Sequence, residues 1–321
     1  MIMRNNSITE PKKEVGEAFT TFEKAERQQV VDSDDDRAAA PTLSTEPQKP
    51  SGNFPSWGDC FAMLGIALGA QILVGVLGLA ITAILGLNMN SSEVLPELRG
   101  NILALIYLFS MVFAVGGTLI YRRCRGGLGP IARFSVRYLS PVILLWGILL
   151  LFVANIVVEP LLNLLPESNP DVGRGWGSVA MLILFAPFFE ELLCRGIILE
   201  SLRNRYGTVI ALFGSSLFFG VLHMQPLPAV NAFFIGLILG FIYLITQSLW
   251  ASVLIHAVNN ALAYILMICG YADKTLYDLV GNGGVYWAIY LLALFVLLFS
   301  AWKIRQTLRM IKDHEKNSSE V

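Results

Sequence analysis

Eight apolar stretches succeed one another along this chain, near residues 60–87, 101–121, 141–163, 177–199, 207–223, 229–247, 249–268 and 285–304. Crossing the hydrocarbon core of a bilayer takes roughly 20 helical residues, within a range of about 17–25. The chain is therefore expected to be all-α, a multi-pass transmembrane helical bundle of about eight spans. The fifth stretch is short, and the fifth to seventh are joined by tight links, MQPLP at 224–228 and QS at 247–248. Composition agrees: 55% of residues are apolar and 15% charged, against roughly 45–50% and 25% in soluble domains. A net charge of −1 supplies no basic field, which excludes nucleic acid as a main partner. Cys60, Cys124, Cys194 and Cys269 form no CxxC pair or regular framework and read as small apolar packers.

Charge outside the spans sets an expected topology. Arg122, Arg123, Arg125, Arg133 and Arg137 crowd 122–140, Arg203 and Arg205 lie in 200–206, and Lys303, Arg305, Arg309, Lys312 and Lys316 lie at and beyond the end of the last stretch. The alternate loops carry only Arg99, Arg174 and Lys274. By the positive-inside rule both termini are expected to be cytoplasmic; separately, the expected location is the plasma (inner) membrane of a bacterium. Gly236 and Gly240, four apart, predict a close helix approach. Residues 1–56 hold 7 Lys/Arg and 10 Asp/Glu with few large apolar side chains, so they are expected to form a disordered acidic tail. The remaining division is 57–174 for N-terminal transmembrane helices, 175–268 for a four-helix core, 269–310 for the last transmembrane helix and 311–321 for a second tail.

Ionisable groups at membrane depth are the informative ones, because each costs about 2.5–3.5 kcal/mol on insertion scales. The fourth stretch reads FAPFFEELLCRGIILESL, with Glu190, Glu191 and Arg195 inside an apolar helix. Glu191 and Arg195 are four apart and share a face, an arrangement that suits an ion pair orienting the site. Glu190 is turned about 100° away and is left for function. Two of three histidines also fall in apolar helices, His223 in FFGVLHM and His256 in SVLIHAVNNAL. Asn260 shares the His256 face, whereas Asn259 points elsewhere.

A glutamate and a histidine can hold and deprotonate a water, and a second histidine with an asparagine amide can stabilise the oxyanion that forms when it attacks a carbonyl. That set suits amide hydrolysis. The alternative is a zinc site made by Glu190, His223 and His256 with an open position for water, although the helical HExxH motif is absent. Two non-proteolytic readings compete: a membrane immunity or binding protein, and a proton-coupled transporter, against which no inverted repeat is found.

The three motifs EExxxR (Glu190 to Arg195), FxxxH (Phe219 to His223) and HxxxN (His256 to Asn260), in that order over 175–268, resemble those of the CAAX prenyl protease and bacteriocin-processing family of intramembrane proteases. The resemblance implies Glu190 as water-activating base beside His223, and His256 and Asn260 as oxyanion stabilisers or metal neighbours. Glu191 and Arg195 match the family's structural pair. It leaves zinc unresolved, since members are described both as metalloproteases and as metal-free glutamate enzymes. It implies a membrane-associated protein or peptide substrate, prenylated in eukaryotic relatives, whereas many bacterial relatives are linked to bacteriocin immunity. Cys194 replaces a common aromatic and Gln247 a usual glycine.

Overall fold

The computed structural model describes residues 54–319 except 90, 92, 128, 169–171, 272 and 273. The expected acidic tail, apart from its last three residues, lies outside the described residues. Every named element is helical.

Helix α1, Trp57–Ile84, starts on a capping box in which the Ser56 hydroxyl accepts from the Asp59 N–H and the Asp59 carboxylate accepts from Ser56. The Tyr121 hydroxyl and the Arg125 Nε–H also donate to Asp59 Oδ1, at 2.8 Å each, tying this end to the end of α2, Pro96–Cys124. Helix α3, Pro141–Leu162, opens with Ser140 as cap and Pro141 in the first turn, where the missing N–H costs nothing. The fourth stretch forms one helical run, α4, over 175–206, whose hydrogen bonding widens to π register at Ala180–Phe185 and at Leu192–Leu199.

Three helices complete the core and its exit: α5, Thr208–Val221, α6, Pro226–Thr246, and α7, Leu249–Ile268. A short α8, Leu276–Val280, and a long α9, Gly283–Ser319, follow. Helix α9 remains helical past the expected end of the last crossing at 304. At 37 residues it is about 55 Å long, well beyond the roughly 30 Å hydrocarbon core.

All eight apolar stretches thus appear as helix. Among the described residues six helices are long and apolar enough to cross a membrane, and the protein is an integral membrane protein. The fourth stretch is the π-interrupted run, and α5, at 14 residues, reaches only about 21 Å. His223 is therefore not within a helix, contrary to the sequence expectation. Pro226 disfavours helix at the residue before it, Gln225 is extended (φ −107°, ψ 141°), and Leu222 and His223 form the turn between α5 and α6.

The core lies where α4, α5, α6 and α7 meet, and Arg195, Phe219, Tyr243, Leu239 and Leu193 are fully buried there. Gly236 and Gly240 do make a close approach: a Cβ on Gly236 would press on Ser216, and one on Gly240 would collide with the Leu212 side chain, both on α5. Helix α2 meets the start of α4 in the same way, since a Cβ on Gly177 would collide with Asn101 and one on Gly100 with Ser178. Helices α3 and α9 pack on the far side of α6. Of the four cysteines, Cys194 is buried in the core, but Cys124 and Cys269 are exposed at helix ends, so the packing role holds for Cys194 and not for them.

Candidate active site

Glu190 and Glu191 sit on the short α-helical piece Ala186–Glu191 between the two π segments. They separate as the helix period requires. Glu191 is fully buried and its Oε1 accepts from Arg195 Nη1 at 2.8 Å. Arg195, also fully buried, donates from Nη2 to the Gly236 carbonyl on α6 at 3.0 Å and lies over the Phe219 ring, 4.9 Å from its centroid. One guanidinium therefore joins α4, α5 and α6.

His256 bridges the two glutamates. Its Nδ1 is 3.1 Å from Glu191 Oε1 and its Nε2 is 3.7 Å from Glu190 Oε2. A carboxylate only accepts, so the short contact assigns the Nδ1 hydrogen to Glu191 and leaves Nε2 towards Glu190. His223 is oriented in a similar way: Nδ1 lies 2.9 Å from the Phe219 carbonyl, which also only accepts, so Nε2 is the free nitrogen. Phe219 stands edge-on to both imidazoles, with centroids 4.9 Å from His223 and 5.8 Å from His256. The FxxxH motif thus supplies a rigid platform as well as a histidine.

Asn260 has a partner that follows from the backbone. In the first π segment the Ala186 N–H bonds to the Met181 carbonyl. The next π-register donor, for the Leu182 carbonyl, would be residue 187, which is proline and has no N–H. That carbonyl is taken by Asn260 Nδ2 at 3.0 Å. One hydrogen of the amide remains for another acceptor.

Glu190, His223, His256 and Asn260 line one cavity of about 460 Å³, walled on its apolar side by Met181, Leu182 and Ile235. Two residues that the sequence reading placed elsewhere or passed over join them. Asn259 lines the same cavity, with Nδ2 donating to Asn260 Oδ1 at 3.4 Å and Oδ1 accepting from Asn155 Nδ2 at 3.1 Å. It does not point away. Tyr107 on α2 lines the cavity and its hydroxyl donates to Glu190 Oε1 at 2.8 Å. Nothing in a single sequence marks one tyrosine in an apolar stretch as a partner for a residue 83 positions later.

Among the described residues no three His, Cys, Asp or Glu side chains gather closely enough to hold an ion. In this arrangement Glu190, His223 and His256 do not form a three-ligand set.

Residues 173–262 match the family model Rce1-like, described as type II CAAX prenyl endopeptidase Rce1-like. The Rce1-like segment contains Glu190, Glu191, Arg195, His223, His256 and Asn260 and takes in α4 to α6 and most of α7. It is like the CAAX-protease type of intramembrane endopeptidase. Helices α1 to α3 and α9 lie outside it, and so does Tyr107. No curated protein and no solved structure matches the chain.

Proposed function

We propose that this chain is an intramembrane endopeptidase that hydrolyses a peptide bond in a membrane-embedded or lipidated protein or peptide, using a water activated between Glu190 and His223. The observation that carries the reading is the convergence of four side chains, from α4, the α5–α6 turn and α7, on one cavity. Glu190 has Oε1 engaged by Tyr107, so Oε2 is the oxygen available to take a proton from water. His223, with Nδ1–H committed to the Phe219 carbonyl, offers a lone pair at Nε2 to the same water. Attack on the scissile carbonyl places negative charge on its oxygen. The remaining Asn260 amide hydrogen is one donor for that oxygen. His256 is the other when protonated, because only the imidazolium keeps Nδ1–H on Glu191 and still donates from Nε2. The proton taken from water then passes to the leaving amine.

Several further features support details of this reading. The arginine and lysine distribution favours both termini on the cytoplasmic side, with a bacterial plasma membrane as the proposed location, and the Rce1-like match favours a prenylated C-terminal segment as one substrate class. The non-catalytic immunity reading is answered by the same experiment. Wild type, Glu190→Gln and His223→Ala, purified in detergent, are compared for cleavage of a farnesylated CAAX peptide and a panel of unmodified membrane-anchored peptides, with zinc assayed on each sample. Cleavage by wild type and a loss of at least about a hundredfold in both folded variants supports the proposal. Equal cleavage by all three refutes the site, and stoichiometric zinc that disappears with His223→Ala would replace the metal-free water activation by a metal-assisted one.

A further inference from the structure

The Glu190 carboxylate is held from outside the Rce1-like segment. We propose that Tyr107 is a positioning residue for the reaction, fixing the rotamer of Glu190 so that one chosen oxygen faces the attacking water; this rests on the reading of Glu190 as the base.

Three observations lead to it. The first is the bond itself: a phenol hydroxyl donates to a carboxylate at 2.8 Å inside an apolar bundle, where a hydrogen bond to a charged group is stronger than a neutral one and its loss leaves the charge under-solvated. The second is selectivity between the two oxygens. Oε1 is occupied by Tyr107, and Oε2 lies 3.7 Å from Nε2 of His256, which lines the cavity. A glutamate with three free torsions would otherwise sample several orientations, and ordering it beforehand lowers the barrier to proton transfer. The third is that α2 is seated for the purpose. The collision-tight contacts at Gly100 and Gly177 lock the start of α2 to the start of α4, and Tyr107 follows Gly100 by about two turns of helix.

The consequence is that α2 completes the site. The Rce1-like segment alone supplies the base without the group that aims it.

The test compares wild type, Tyr107→Phe, Tyr121→Phe and Glu190→Gln on whichever peptide of the panel above wild type cleaves. Tyr107→Phe keeps the ring and removes one hydroxyl. It is expected to lower kcat about tenfold to a hundredfold, the range for a lost hydrogen bond to a charge, with KM within twofold, because the substrate is held by other groups. Tyr121→Phe loses a hydroxyl-to-carboxylate bond of the same length, to Asp59, away from the cavity, and keeps the wild-type kcat. An unchanged kcat in Tyr107→Phe, with Glu190→Gln inactive, overturns this inference and leaves the proteolytic reading standing; activity in Glu190→Gln overturns both. Thermal unfolding gives a readout independent of turnover. Tyr107→Phe lowers the Tm of wild type and leaves that of Glu190→Ala unchanged, since the bond is already gone there. Equal lowering in both backgrounds would show packing alone and overturn the proposal.

Discussion

Replacing Arg195 by Met tests how the two glutamates are kept apart in role. In the folded protein the guanidinium is fully buried and meets Glu191 at 2.8 Å, the Gly236 carbonyl at 3.0 Å and the Phe219 ring at 4.9 Å. Removing one partner of a buried ion pair leaves an uncompensated charge and costs about 3–5 kcal/mol. The cation–π contact contributes about 0.5–2 kcal/mol, within rather than on top of that range because the same group makes both. At about 2–4 °C per kcal/mol for a body of this size, Arg195→Met should lower Tm by about 6–20 °C, read by tryptophan fluorescence in detergent. The decisive variant is the double change Glu191→Gln with Arg195→Met. The amide introduced by Glu191→Gln keeps an acceptor for His256 Nδ1, now without a charge to leave stranded, so the double variant should recover at least ~1 kcal/mol relative to Arg195→Met. A double variant as unstable as the sum of the two single changes would refute the argument, showing that Arg195 acts through packing and the Gly236 carbonyl rather than through Glu191.

Asn260→Ala should destabilise the fold by about 1–3 kcal/mol because the Leu182 carbonyl loses its donor. Pro187→Ala in the same chain should restore part of that by supplying the missing N–H, and no recovery in Tm would count against the π-register explanation. Met224 has a left-handed backbone (φ 58°) and an exposed side chain, so Met224→Gly should raise stability by about 1 kcal/mol, checked by the same unfolding assay. At α8, outside the crossings, the Thr275 backbone N–H and hydroxyl hold the Asp278 carboxyl below its usual range. A depressed carboxylate contributes stability above its unfolded pKa, near 3.8, and loses it as pH falls through the lowered value. Hydrogen exchange over Leu276–Val280 should quicken only in that acidic window, and Thr275→Val should remove the transition.

The helices and their polar residues were legible in the chain because both signals are local. Apolar runs of crossing length have no other place to go than lipid or a buried core, and they appear as helices, the last of them continuing well past its expected end. Glu191 and Arg195 pair because residues four apart on a helix are neighbours whatever else surrounds them. The motifs that hold Glu190, His223, His256 and Asn260 were visible in the same way, and the fold brings the four side chains to one cavity. What the sequence could not carry were relations between distant segments. The π register at Ala180–Phe185 is not encoded by periodicity, so neither the orphaned Leu182 carbonyl nor the bond by which Asn260 satisfies it could be read in advance. Pro226 was visible, but that it would end α5 early and leave His223 in a turn depended on how α5 and α6 pack. The 100° step alone directs Asn259 away from the cavity, yet the cavity is wide enough to take both asparagines. Tyr107 meets Glu190 only because glycines let α2 lie against α4. Local period and hydropathy determined which residues are costly to bury; the tertiary fold alone decided which partners offset that cost, because hydrogen bonds across a bundle depend on distances that no single helix contains.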